Sequence, residues 1–133
     1  MRNKKGVTFI EIMISALILS ISIGGMLTTF VMGRVSVAKA KHRIEAFNLI
    51  QEKVEAIRDT SYASIANESP ASVTIDNAGT AATTDDLTGQ RSVSVNEVVV
   101  DGYKEVTVTI TWTEHKWGGS NQVSENVVTV VSK

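Results

Sequence analysis

The 133-residue sequence has no cysteine, a single proline, two histidines and almost no net charge, and each shortage closes off a class of function. Without cysteine, no disulfide staples the fold, no thiolate holds a metal and no thiol acts as nucleophile. An extracytoplasmic location stays open, because disulfides are common there but not required. The histidines, His42 and His115, stand far apart in sequence. No serine or threonine has a histidine and a carboxylate placed to activate it, so nucleophilic catalysis has no visible support and no enzyme is expected. A formal net charge of -1 argues against a nucleic-acid partner, which needs a basic face to neutralise phosphates. The one proline, Pro70, leaves everything before it free of that helix breaker.

What the chain does have is unevenly placed. A large share of its apolar residues lies in the first quarter, so the rest has only a modest core to build. After a basic tip of Arg2, Lys4 and Lys5, the segment from Val7 to Gly33 runs about 27 residues with Glu11 its only charge. As a helix it is roughly 40 Å long, enough to cross the apolar part of a bilayer, and we read it as a transmembrane anchor. Ala38-Lys39-Ala40 resembles a signal-peptide cleavage site, but the apolar run far exceeds the roughly 7 to 15 residues of a signal peptide. Glu11 is the anomaly. A carboxylate at the bilayer centre costs roughly 2.5–3.5 kcal/mol on insertion scales, less near a helix end, so a chain that keeps one usually uses it. Orientation is left open by charge alone, since Arg34, Lys39, Lys41 and Arg43 on the far side balance the tip.

Beyond the anchor the helical pattern continues to about Asp59. Over residues 34–59, Ile44, Phe47, Ile50, Val54 and Ile57 recur at intervals of three and four and define one apolar stripe. Gly24-Gly25 is the soft point of this long helix and Gly33 a weaker one. Residues 60–91 turn to Ser, Thr, Asn, Asp and Gly; they read as a surface loop with one short strand at Ser72 to Ile75. Asn77-Ala78-Gly79 and Asp85 through Gly89 are its turn signals. Residues 92–133 hold three stronger strands, Ser92 to Val100, Tyr103 to Glu114 and Gln122 to Ser132. Asp101-Gly102 and Trp117 through Asn121 are the turns between them. In the middle strand Val106, Val108, Ile110 and Trp112 alternate with threonines, which gives one apolar face and one hydroxylated face. The apolar face needs a partner layer, and the helical stripe supplies it. The expected class is α+β: a long N-terminal helix, transmembrane in its first half and amphipathic in its second, on a small antiparallel sheet.

Other chemistry is thin. Glu52 and Glu55 stand at a spacing that can hold a metal but read better as a solvated helix face. Asp85-Asp86 lacks a calcium-ligand spacing and reads as a turn. No metal site and no cofactor are expected. Asn67-Glu68-Ser69 matches a glycosylation sequon, a pattern that arises easily by chance. Trp117 is either an exposed contact residue or a turn residue folded over the sheet.

Gly6-Val7-Thr8-Phe9-Ile10-Glu11, preceded by Lys4-Lys5 and followed by an apolar helix, resembles the prepilin cleavage and methylation motif of type IV pilins and pseudopilins. The likeness extends to the pilin architecture of a long helix followed by a short antiparallel sheet. It implies that residues 1–6 are a leader peptide, that a prepilin peptidase and methyltransferase cuts after Gly6 on the cytoplasmic side, and that Val7 becomes the methylated N-terminus. It implies a single-pass inner-membrane protein with a periplasmic C-terminal domain, and a filament or cell-surface location after assembly. Its partners would be the lipid bilayer, an inner-membrane assembly platform and other pilin or pseudopilin subunits. Glu11, the fifth mature residue, would pair with a neighbour's N-terminal amine. Valine at position 7 replaces the usual phenylalanine, and Thr28 stands where many major pilins have a helix-kinking proline. The missing cysteine pair removes the disulfide-bounded loop of many major pilins, which with the short sheet favours a minor subunit. A pseudopilin of a type II secretion system is the alternative; an anchored or secreted periplasmic domain that does not polymerise is another of a different class.

Overall fold

The structure, a computed structural model, describes residues 7–80, 82–99, 102–116 and 118–133. The chain divides into two compact units, one ending at Lys39 and one from Ala40 to Lys133. A single helix, α1 (Phe9–Arg58), contributes to both. It begins two residues later than the apolar run because Thr8 caps it: the Glu11 N–H lies 3.4 Å from the Thr8 hydroxyl and 3.1 Å from its carbonyl. Thr60 closes the other end, its hydroxyl donating to the Ala56 carbonyl at 2.9 Å.

From Ile12 to Gly33 the helix carries no charged residue on any side, and its hydroxyls are bonded back onto the helix. Ser15, Ser20, Ser22, Thr28, Thr29 and Ser36 each donate to the carbonyl four residues earlier at 2.7–3.0 Å. In hydrocarbon such a bond removes the penalty of an unsatisfied hydroxyl. Thr28 and Thr29 bond the carbonyls of Gly24 and Gly25, so the soft glycine pair is also where hydroxyls compete for the helix ladder.

In the second unit the remainder of α1 packs on a four-stranded antiparallel sheet of order β1 (Glu68–Asp76), β2 (Leu87–Val99), β3 (Tyr103–Lys116) and β4 (Gly119–Ser132). The arrangement is α+β and pilin-like, a meander with one helix on one face. The segment 60–91 is more ordered than a loop: a 3-10 turn (Tyr62–Ser64) precedes a nine-residue strand, and β2 starts at Leu87, five residues before Ser92. Its polar composition misleads because β1 is an edge strand with mostly solvated side chains. Pro70 is tolerated there, at a register shift between Glu68 and Ala71. Gly89 is no turn residue: it is buried in β2, where an added Cβ would lie 2.8 Å from Ile75 Cδ1 and 3.0 Å from the Thr111 carbonyl oxygen. Gly118, at φ +94°, takes the position between β3 and β4 that needs left-handed backbone. Gly119 to Asn121, expected in that turn, belong to β4. Asp101 of the first hairpin signal, and Trp117, lie outside the described residues.

The core joins Ala46, Ile50, Val54 and Ile57 of α1 to Ile65, Ile75, Val93, Val106, Val108, Ile110 and Trp112. Full burial of each large member is worth roughly 1.5–3 kcal/mol. Ile44 and Phe47 are not part of it, at 60% and 47% exposure, which corrects the stripe read from the sequence. At about 100° per residue Ile44 points nearly opposite Ala46 and Phe47 a quarter-turn away. The sheet takes the small Ala46 instead, which allows close approach of helix and strands, and counting only large hydrophobes passes over it.

Candidate assembly site on the N-terminal helix

The candidate site begins with Val7, exposed and just ahead of α1, and with Glu11 in the helix's first turn. Thr8 and Glu11 stand three apart, the spacing of a capping box, so the carboxylate sits where α1 presents its unbonded N–H groups and positive dipole end. Among the described residues no cation lies within ion-pair distance of Glu11. Among the described residues, then, it is the end of its own helix that faces this carboxylate. Gly6, and the basic tip of Arg2, Lys4 and Lys5, lie outside the described residues. The side chains from Phe9 to Met32 are exposed throughout, including Phe9, Ile10, Leu17, Met26 and Phe30, and α1 is long and apolar enough to cross a membrane. Arg34 closes this stretch with its guanidinium 4.8 Å from the Phe30 ring, a cation on the last aromatic of the apolar segment.

Within the second unit a charged cluster holds the start of the sheet-bound helix. Lys41 Nζ donates to both oxygens of Asp76, at 2.9 and 3.0 Å. The His42 ring lies between two carboxylates, Nε2 3.4 Å from Asp76 and Nδ1 3.2 Å from the buried Glu114. Trp112 donates its indole N–H to the same Glu114 oxygen at 3.2 Å. The Lys41 hydrogen bonds hold the Asp76 carboxyl below the usual carboxylate range; partial burial opposes them, and the Ala78 N–H and His42 reinforce them. Sequence reasoning missed this cluster by treating the histidines only as a possible pair. The available signal was Glu114, a carboxylate on the apolar parity of β3 after Val106, Val108, Ile110 and Trp112.

Other singled-out residues have structural surroundings. Asn67 uses its amide oxygen to accept the Val95 N–H at 2.6 Å, filling the irregular start of the β1–β2 pair. Asp85 accepts the Thr80 hydroxyl at 2.9 and 3.0 Å. Glu52 and Glu55 are exposed, and no group of three acidic or histidine residues is arranged for a metal ion among the described residues. Lys104 lies over the Tyr62 ring at 4.6 Å and donates to the carbonyls of Tyr62 and Ile65 at 2.9 and 3.0 Å, tying the 3-10 turn to β3.

A family model described as the prokaryotic N-terminal methylation motif matches residues 1–27. No curated protein and no solved structure matches the chain. The matched motif supports a type IV pilin-like prepilin N-terminus, and motif and apolar helix together point to membrane anchoring.

Proposed function

We propose that the protein is a structural, non-catalytic filament subunit: a minor pilin cut after Gly6, N-methylated at Val7 and assembled through α1 from the inner membrane, with its sheet domain in the periplasm. The observation that carries this is the methylation motif at the head of an apolar helix with Glu11 in its first turn. Cleavage creates a cation at Val7. In a filament, a neighbour's amine set against Glu11 neutralises both charges in a low-dielectric setting, so Glu11 measures axial register between subunits.

Intact mass and N-terminal sequencing of membrane-extracted protein test the processing. A start at Val7 with one added methyl supports it; an uncut Met1, or a start at Lys41 or His42, rules it out. Replacing Glu11 with glutamine should leave membrane insertion intact and impair incorporation into the filament. Normal incorporation of that variant defeats the register role. A pseudopilus of a secretion system uses the same helix chemistry and is the second reading.

A further inference from the structure

The two edges of the sheet are built differently. β1 carries Pro70 and two register shifts, and its end carboxylates are tied to the helix, Glu68 by Lys53 and Asp76 by Lys41. Proline, irregular register and charge are the usual devices that keep an edge strand from pairing with another chain. β4 uses almost none of them. It pairs with β3 from Gly119 to Ser132 without a register shift, and it includes no proline, no lysine and one charged residue, Glu125. Toward its end Val127, Val128, Val130 and Val131 surround Thr129. The pairing of Val106 with Thr129 and of Val108 with Val127 puts Val127, Thr129 and Val131 on the helix face of the sheet. Val128 and Val130, at 48% and 60% exposure, lie on the opposite face. The free edge is lined by valine on both.

The helix flanks this edge. Arg43 lies 3.5 Å from Glu125, and Arg58 donates to the Thr129 hydroxyl at 3.0 Å, so the side of α1 that carries them faces β4. At about 100° per residue Phe47 falls between them around the helix. Its exposed ring therefore stands on the β4 side. The Arg43 charge is met by Glu125. Among the described residues no carboxylate lies within ion-pair distance of Arg58.

One kind of occupant answers all of these features. A further strand extends the backbone ladder, sets apolar side chains against the valines on both faces and against Phe47 on one, and brings a carboxylate to Arg58. A second copy's β4 fits badly. Paired antiparallel in the register that sets Val127 opposite Val131 and Val128 opposite Val130, it brings Thr129 against Thr129 and Arg58 toward Arg58, cation against cation. We propose that the free edge of β4 receives an extended strand of a different protein, apolar on both faces and with a carboxylate on the face under α1. The proposal uses the sheet domain alone and stands apart from the filament reading.

The test uses the full chain in detergent and a fluorescent probe peptide, Ser-Val-Val-Glu-Val-Val-Ser, read by anisotropy. Saturable binding is expected, and it should be lost when the peptide nitrogens of the probe are methylated. Equal binding of the methylated probe means apolar adhesion without strand pairing and overturns the proposal, as does no binding of either. A probe with lysine in place of the glutamate should bind several-fold more weakly, and Arg58→Gln should erase that difference. No preference between the two probes overturns the carboxylate assignment. Val130→Lys, on the exposed face, should keep the wild-type melting temperature and weaken binding several-fold; unchanged binding overturns β4 as the receiving edge. If the wild-type chain dimerises without peptide and Val130→Lys makes it monomeric, the occupant is a second copy and the proposal fails.

Discussion

Gly89→Ala adds one methyl group at the tightest point of the sheet. Gly89 pairs with Val73 on β1 and Trp112 on β3, and its new Cβ would meet Ile75 Cδ1 at 2.8 Å, the Thr111 carbonyl oxygen at 3.0 Å and Ile110 Cγ2 at 3.3 Å. The Ile75 terminal carbon can rotate away, but the Thr111 carbonyl is part of the partner strand's backbone. Overpacking of this kind costs about 1–3 kcal/mol. Loss of glycine's freedom in the unfolded chain offsets about 0.4–1 kcal/mol. The expected net destabilisation is about 1–2 kcal/mol, a melting-temperature drop on the order of 4–16 °C for a domain of this size class. The assay is thermal melting of the full chain in detergent, followed by the β-sheet signal in circular dichroism. Ile75→Val alone should cost about 0.5–1.5 kcal/mol. Combined with Gly89→Ala it should cost less than the sum, because the shorter side chain makes room. A Gly89→Ala melting temperature at or above wild type refutes the steric account.

Asp76 sets a pH dependence whose sign follows from its depressed carboxyl. Its contribution is full above the unfolded carboxylate value of about 3.9 and is lost as pH falls through the lower folded value. Asp76→Asn should lower the urea midpoint at pH 7 by the equivalent of about 1–2 kcal/mol, with the gap to wild type closing below about pH 4. A gap that persists in acid contradicts the ion-pair account. Lys104→Met removes the donor to the Tyr62 and Ile65 carbonyls and should destabilise by about 1–3 kcal/mol, with faster proteolysis between Thr60 and Asn67. Cleavage at the wild-type rate there would show the clamp is idle. Gly24→Ala and Gly25→Ala should each stabilise the helix by about 1 kcal/mol and slow amide exchange around Met26 to Thr29; unchanged exchange would remove the glycine pair as the soft point.

The long helix, the hydroxylated and apolar faces of β3 and the processing motif were legible because each rests on a local regularity: an apolar run, a period of two, a fixed spacing. What could not be read depended on distance across the fold. Gly89 looked like a turn residue because glycine's freedom is visible in sequence, whereas the Ile75 and Thr111 atoms that exclude a side chain there are not. Ile44 and Phe47 looked like core because a helical period fixes spacing but not which face a sheet will choose. The Lys41–Asp76 and His42–Glu114 contacts join residues 35 and 72 positions apart, and no local pattern marks them. The strand β1 was hidden by its own exposure, since an edge strand needs few hydrophobes.

The six hydroxyls that bond back onto α1 also bear on how the anchor can move. Each spends its one proton on a carbonyl of its own helix, so none of them has a donor left to offer to lipid or to a neighbouring helix. Displacing the rod along its axis trades one greasy surface for another without breaking a hydrogen bond from these six. Such a stretch has almost no preferred stopping place of its own; where it halts is decided by the few charges at its two ends.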